Sequence, residues 1–141
     1  MEGIKTTDLM IRNYVLFDNI PMYVVGLYDN GRTLDLTSKE NEDEGGDYYQ
    51  VFLKEVYPIP LTENILIKCG FEKEQNYRGF LYKNPINGFR MRIQDDNINV
   101  FKDNGRFRYA FGTFHSVELN YLHQLQNLFK ILTGNDLKVN L

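Results

Sequence analysis

The sequence predicts an α+β protein built mostly of antiparallel sheet, with an SH3-like small β-barrel at the N terminus. Short aromatic and β-branched runs alternate with Asn-Gly and Asn-Pro turn pairs through most of the chain, a pattern typical of hairpins. Two other stretches, residues 61–70 and 116–132, have helix caps and apolar residues at helical spacing. The 141 residues are 43% hydrophobic and 14% aromatic, enough to bury a core.

Residues 1–60 are predicted to form the SH3-like module. Residues 14–17 and 22–28 are strand candidates, and Asn30-Gly31 supplies the two positive φ angles of a two-residue type I′ loop. The module is expected to end near Pro58-Ile59-Pro60, because proline cannot donate to a strand ladder. The resulting register places two apolar pairs on one face: Leu27 opposite Leu34, and Val25 opposite Leu36.

Residues 61–141 are predicted to add a short helix, a β-meander, a longer C-terminal helix and a final strand, packed with the first module as one compact unit. Thr62 and Gly70 are expected to cap the short helix, and Ser116 and Gly134 the longer one. In the meander, Asn104-Gly105 is predicted to close a second two-residue hairpin between residues 98–102 and 106–111. That register places Val100 opposite Tyr109, and the alternation of Leu137, Val139 and Leu141 predicts the final strand.

The longer helix is predicted to be amphipathic. Its apolar stripe predicts burial of four side chains, namely Leu122, Leu125, Phe129 and Leu132. Its polar side carries His123 and Lys130, which we expect to lie in solvent.

Three segments carry a resemblance: IPLTENILIKCGFE at residues 59–72, LHQLQNLFKILTG at residues 122–134, and RNYVLF at residues 12–17. They are similar to recurring segments of uncharacterised small proteins of gut anaerobic bacteria and their phages. The resemblance implies a phage or mobile-element origin. It implies no reaction, because that family has no established activity.

Charge is unevenly distributed along the chain. Residues 1–60 carry five Lys and Arg against eleven Asp and Glu, whereas residues 61–141 carry eleven against eight. An anionic partner is therefore expected to prefer the second part. No apolar stretch approaches the roughly 20 residues of a membrane span, and no signal-peptide core follows Met1. We expect a cytoplasmic protein that binds no membrane.

Residues suited to catalysis or metal binding are few: Ser38, Ser116, Cys69, His115 and His123. Ser116 is explained as a helix cap, and a thiolate at Cys69 is disfavoured by the helix C terminus. The two histidines are about 12 Å apart along a helix, too far to share a metal ion. The acidic loop at residues 40–47 lacks the ligand spacing of an EF-hand. We expect no enzyme activity, no metal and no cofactor.

Arginines alternate with apolar residues on two predicted strands. Arg90, Arg92, Arg106 and Arg108 would share one sheet face, here called the arginine face, if the two strands belong to one sheet, with Phe101 beside Arg108. Arginine and aromatic side chains together suit phosphate backbones and stacked bases. An ordinary solvated sheet face is the alternative. Five tyrosines could instead line a peptide groove or be half-buried strand residues: Tyr14, Tyr23, Tyr28, Tyr48 and Tyr49.

The preferred hypothesis is a non-enzymatic protein-interaction, structural or regulatory protein of phage or mobile-element origin whose partner is another protein. The alternative hypothesis is a nucleic-acid-binding accessory protein that uses the arginine face. Salt-dependent retention of DNA or RNA would favour the alternative.

Overall fold

The computed structural model describes residues 3–4, 8–38, 48–76, 79–83, 90–94, 106–110 and 116–141. The protein is α+β, as predicted, with two sheets and two α-helices in the described part. The strands are β1 (Tyr14–Phe17), β2 (Ile20–Tyr28), β3 (Thr33–Ser38), β4 (Tyr49–Phe52), β5 (Val56–Tyr57), β6 (Glu72–Asn76), β7 (Gly79–Lys83), β8 (Arg90–Gln94), β9 (Arg106–Ala110) and β10 (Ser116–Leu119). The helices are α1 (Glu63–Lys68) and α2 (Leu122–Thr133).

The two sheets are antiparallel. The first has the order β4-β3-β2-β1-β5 and curls into a half-barrel, and the second has the order β10-β9-β8-β7-β6. β6 was not predicted, because its sequence Glu-Lys-Glu-Gln-Asn has no apolar residue to mark a strand.

The half-barrel encloses an inner core. Val15, Val24, Leu34 and Leu36 point into it, each 0% exposed, and Ile4 and Leu9 of the N-terminal region pack against it as well. Alternation along each strand sends the intervening side chains to the outer surface of the sheet.

An outer core lies between that surface and the two helices. It contains Tyr14 and Tyr23 from the sheet, together with Leu66, Phe129 and Leu119 at the end of β10. The predicted boundary at residues 58–60 is part of this contact: the backbones of residues 59–61 and 120–122 exchange two hydrogen bonds of 2.9 Å. The polypeptide around the predicted boundary is therefore tied to the start of α2.

The turn around Asn30-Gly31 differs from the prediction in the length of its loop and in the register of the strands beside it. Leu27 lies opposite Leu34 as predicted, but Tyr28 pairs with Thr33, so the loop contains four residues, Asp29 to Arg32. A β-bulge between Val24 and Gly26 shifts the register, so Val24, and not Val25, pairs with Leu36. Three successive residues of the loop have positive φ: Asp29, Asn30 and Gly31.

The two-residue loop occurs instead between β1 and β2. Asp18 and Asn19 have φ of 53° and 60°, and the flanking Phe17 and Ile20 are paired. Aspartate and asparagine tolerate this conformation better than other non-glycine residues, which makes a glycine-free type I′-like turn possible.

The second predicted hairpin is wrong in its pairing. Asn104-Gly105, residues 98–102 and the acidic loop lie outside the described residues. However, β9 lies between β8 and β10, and Tyr109 pairs with Val117. Both edges of β9 are therefore taken by strands other than the predicted partner.

Helix capping is confirmed at three of four positions. The Thr62 hydroxyl accepts a hydrogen bond of 3.2 Å from the Ile65 N–H, and Gly70 and Gly134 adopt positive φ. Ser116 is not a cap, because it pairs with Ala110 in β10. The side chain of Gln124 instead accepts hydrogen bonds from the N–H groups of residues 120 and 121, at 2.9 and 3.1 Å.

Candidate functional site

A groove of about 720 Å³ opens on the outer surface of β1 and β2. Its other walls are residues 10–13 of the N-terminal arm (residues 8–13), one side of α2, and the C-terminal tail (residues 135–141). We call it the terminal groove. The Tyr14 and Tyr23 rings meet edge to face there, with centroids 5.1 Å apart.

An amide network fixes the N-terminal arm against α2. The Gln126 side chain accepts a hydrogen bond of 2.9 Å from the Tyr14 N–H and donates one of 3.0 Å to the Arg12 carbonyl. The Asn127 side chain accepts from the Asn13 side chain at 2.7 Å and donates to the Asp8 carbonyl at 2.8 Å. Both amides are therefore held in one orientation by two partners each, which ties the N-terminal arm to α2.

The charged residues of the groove are three cations and one carboxylate. Asp136 accepts from Arg12 at 2.8 Å and lies 3.5 Å from the Lys130 ammonium. Lys138 is exposed and forms no ion pair with the described residues. The groove therefore has an excess of positive charge and favours an anionic ligand.

The C-terminal tail was predicted to be a strand, but residues 135–141 belong to no ladder among the described strands. Its burial nevertheless alternates: Leu137 is buried and Val139 half-buried, whereas Lys138 and Asn140 are exposed. A backbone hydrogen bond of 2.9 Å, from the Asn140 N–H to the Lys68 carbonyl, helps to anchor it. The tail thus has the side-chain pattern of a strand but joins neither sheet of the described part of the chain.

His123 was predicted to lie in solvent, and this is wrong. Its side chain is 2% exposed, stacks on Tyr121 with ring centroids 5.8 Å apart, and finds no hydrogen-bond partner among the described residues. Burial lowers the pKa of His123, and the charge of Asp8 opposes that shift. His123 is buried because the N-terminal arm covers the polar side of α2. Lys130 is exposed, as predicted.

The other candidates for chemistry are accounted for structurally. Burial raises the pKa of the Cys69 thiol to about 12, so it stays protonated at neutral pH. Across the described ranges, no cluster of three His, Cys, Asp or Glu side chains is arranged to hold a metal ion. Neither described helix has the length and hydropathy of a membrane span.

The arginine face is placed by the strand register. Arg92 pairs with Arg108, Arg106 pairs with Gln94, and Arg90 pairs with Lys83. The two strands are therefore neighbours in one sheet, and the four arginine positions belong to one face by strand alternation. Phe101 and His115 lie outside the described residues.

The tyrosines expected in a peptide groove fall into two groups. Tyr14 and Tyr23 are buried and line the terminal groove, while Tyr28, Tyr48 and Tyr49 are each more than half exposed elsewhere. Sequence reasoning missed the groove residues Arg12, Gln126 and Asn127. The adjacent amides on the polar side of α2 were the available indication, since solvent-facing helix positions more often carry charged residues.

Within the described residues, the terminal groove brings no nucleophile and base together. What its side chains offer is charge and hydrogen-bonding groups. No known protein family, curated protein or solved structure matches the chain.

Proposed function

We propose that the protein is a non-enzymatic interaction module that binds an extended, acidic segment of a partner protein in the terminal groove. The observation that carries the proposal is the C-terminal tail, which is strand-like in burial and has no ladder among the described strands. An extended peptide can add to such a segment as a strand, with main-chain hydrogen bonds giving affinity. Side-chain pockets of the groove then give specificity.

Charge supports an acidic partner. Arg12, Lys130 and Lys138 outnumber the single carboxylate, Asp136, along the groove. Met10 and Ile11 add exposed apolar surface on the opposite wall, with 42% and 53% of their areas accessible. A peptide that alternates acidic and apolar residues satisfies both features, because alternate side chains of a strand face opposite sides.

The finer parts of the proposal rest on the sequence. We propose that the half-barrel is SH3-like, that the protein is of phage or mobile-element origin, and that it acts in the cytoplasm as an interaction, structural or regulatory protein. The short twisted strands joined by tight turns support the first, and the resembling segments 12–17, 59–72 and 122–134 support the second.

Panning a random peptide display library against the full chain tests the proposal. We expect enrichment of extended sequences in which Asp or Glu alternates with apolar residues. The variant Lys130→Glu/Lys138→Glu should lose these peptides, because it inverts the charge of the groove. Lys54→Glu, a charge reversal on another part of the half-barrel, is the matched control and should retain them. Enrichment of basic peptides, or equal loss in the control, would contradict the proposal.

A second candidate function is nucleic-acid binding by the arginine face, favoured by the register that pairs Arg92 with Arg108. Like charges directly opposite each other destabilise a sheet, and a bound phosphate relieves that repulsion. On β10, the position paired with Arg108 is the acidic residue Glu118.

Filter binding with single-stranded and duplex DNA and RNA at low salt tests this candidate. Replacing Arg106 and Arg108 together should flatten the salt dependence of the affinity by about two units, if each engages one phosphate. No retention at micromolar protein would remove the nucleic-acid candidate and leave the terminal groove as the binding surface.

A further inference from the structure

The outer surface of the half-barrel is exposed at the end of β2 away from the terminal groove. Three neighbouring strands place six residues there in two rows: Tyr28–Thr33–Phe52 and Gly26–Asp35–Gln50. Tyr28 and Phe52 are 51% and 58% exposed, and Gln50 is exposed. The backbones of Tyr28 and Phe52 are therefore two strand spacings apart, about 10 Å, with polar residues between them. We call this set the aromatic platform.

Tyr28 is held flat on the sheet. A Cβ atom at Gly26 would lie 2.9 Å from both Cε2 and the hydroxyl of Tyr28, so the ring crosses directly over the glycine. The Tyr28 hydroxyl donates a hydrogen bond to the Asp35 carboxylate, which raises the pKa of Tyr28. An exposed ring fixed in this way loses little conformational freedom when a ligand stacks on it.

We propose that the aromatic platform binds a neutral oligosaccharide. An exposed ring face offers the flat apolar surface on which the C–H groups of a sugar ring pack, and the Asp35 and Gln50 side chains can hydrogen-bond its hydroxyls.

Charge at the platform disfavours a polyanion. Asp35 lies at its centre, and the first 60 residues carry eleven acidic against five basic side chains. One cation lies beside the platform, the Lys54 ammonium 5.6 Å from the centroid of the Phe52 ring, and a sugar that stacks on this face of Phe52 must displace it. A phosphate chain would be repelled by the central carboxylate, whereas an uncharged sugar meets no such barrier.

Calorimetric titration of the full chain with cellohexaose, chitohexaose and maltohexaose tests the proposal. At least one sugar should bind with a millimolar or smaller Kd. Tyr28→Ala should weaken binding about tenfold or more. Gly26→Ala should do the same while keeping every platform side chain, because the new methyl group displaces the Tyr28 ring. Tyr48→Ala removes an exposed tyrosine outside the platform and should leave the Kd unchanged.

A pH titration of the tyrosine hydroxyls tests the placement of the Tyr28 ring without any ligand. Gly26→Ala should return the pKa of Tyr28 toward its ordinary value, with an unchanged circular dichroism spectrum. Absence of binding by all three sugars at millimolar concentration would overturn the proposal, as would binding that survives Tyr28→Ala. The terminal groove is a separate surface, so either result leaves the peptide-binding proposal unaffected.

Discussion

On one side of α2, Leu122, Leu125 and Phe129 are buried among apolar side chains, each with at most 1% of its surface exposed. On the other side, Gln126 is also buried, but its partners are backbone groups of the N-terminal arm and β1. Apolar side chains accept several packings of similar energy, whereas an amide needs partners at a fixed distance and angle. The apolar side therefore stabilises the helix, and the polar side determines which segment covers it.

The largest expected effect is on the apolar side. Leu125→Ala should lower the free energy of unfolding by about 2–5 kcal/mol, because it removes buried methyl groups and leaves a cavity. Leu132→Ala is the matched control on the same helix. We predicted Leu132 to be buried, but it is 49% exposed, so its replacement should change stability by no more than about 0.5 kcal/mol. Equal losses in urea unfolding would show that Leu125 is not core.

The next effect is on the polar side. Gln126→Ala should cost about 1–3 kcal/mol, because it leaves the Tyr14 N–H and the Arg12 carbonyl without this partner. Alanine is the better helix former, so helix propensity cannot explain a loss. Hydrogen exchange should also quicken in residues 8–14. An effect as small as that of Gln50→Ala, an exposed glutamine, would contradict the role of the network.

The buried His123 makes the polar side sensitive to acid. Burial lowers the pKa of His123 in the folded protein below the ordinary 6.5 of the unfolded chain. Below pH 6.5 the unfolded state therefore binds a proton that the folded state does not. Stability should be constant above that pH for this group and fall below it by at most about 1.4 kcal/mol per pH unit.

Comparison of wild type with His123→Phe isolates this contribution from that of His115. Phenylalanine keeps a ring beside Tyr121 and removes both buried nitrogens that lack a hydrogen-bond partner among the described residues. The variant should lose part of the acid slope in denaturant unfolding measured from pH 7 to pH 5. An unchanged slope would show that His123 is not the group responsible.

The smallest effect on stability is expected at the rim of the terminal groove. The Arg12–Asp136 ion pair is exposed, with 60% and 41% of the two side chains accessible. Asp136→Asn should therefore cost only about 0–1 kcal/mol. The same change removes the one carboxylate among the described residues that line the groove and should tighten the capture of acidic peptides. Weaker capture would mean that Asp136 itself contacts the peptide.

Helix ends could be predicted from the sequence where a single residue determines the local backbone conformation. Gly70 and Gly134 end the helices because positive φ favours glycine, and Thr62 caps α1 because its hydroxyl reaches the Ile65 N–H. Ser116 looked equally suitable as a cap, but strand pairing with Ala110 overrides that preference. The turn predicted at Asn30-Gly31 is present, with positive φ at both residues, but strand pairing ends at Tyr28 and Thr33, so the loop has four residues instead of two.

The candidate site could not be predicted because it depends on contacts between distant residues. Asn13 and Asn127 are 114 positions apart, and neither side chain indicates its partner from local sequence. In the C-terminal tail, the sequence predicted burial but not strand pairing. Its alternation correctly predicted that Leu137 is buried, but whether a strand forms depends on a neighbour that alternation does not specify.

The most direct test of the terminal groove as a peptide site is a chemical-shift titration of the ¹⁵N-labelled full chain. The probe is a synthetic peptide of alternating Glu and Val residues, and its Lys and Val counterpart is the control. The Glu peptide should shift the amides of Arg12, Lys130 and residues 136–141 most strongly, and the control should leave them unchanged. Shifts confined to β8 and β9, or equal shifts with both peptides, would contradict binding in the groove.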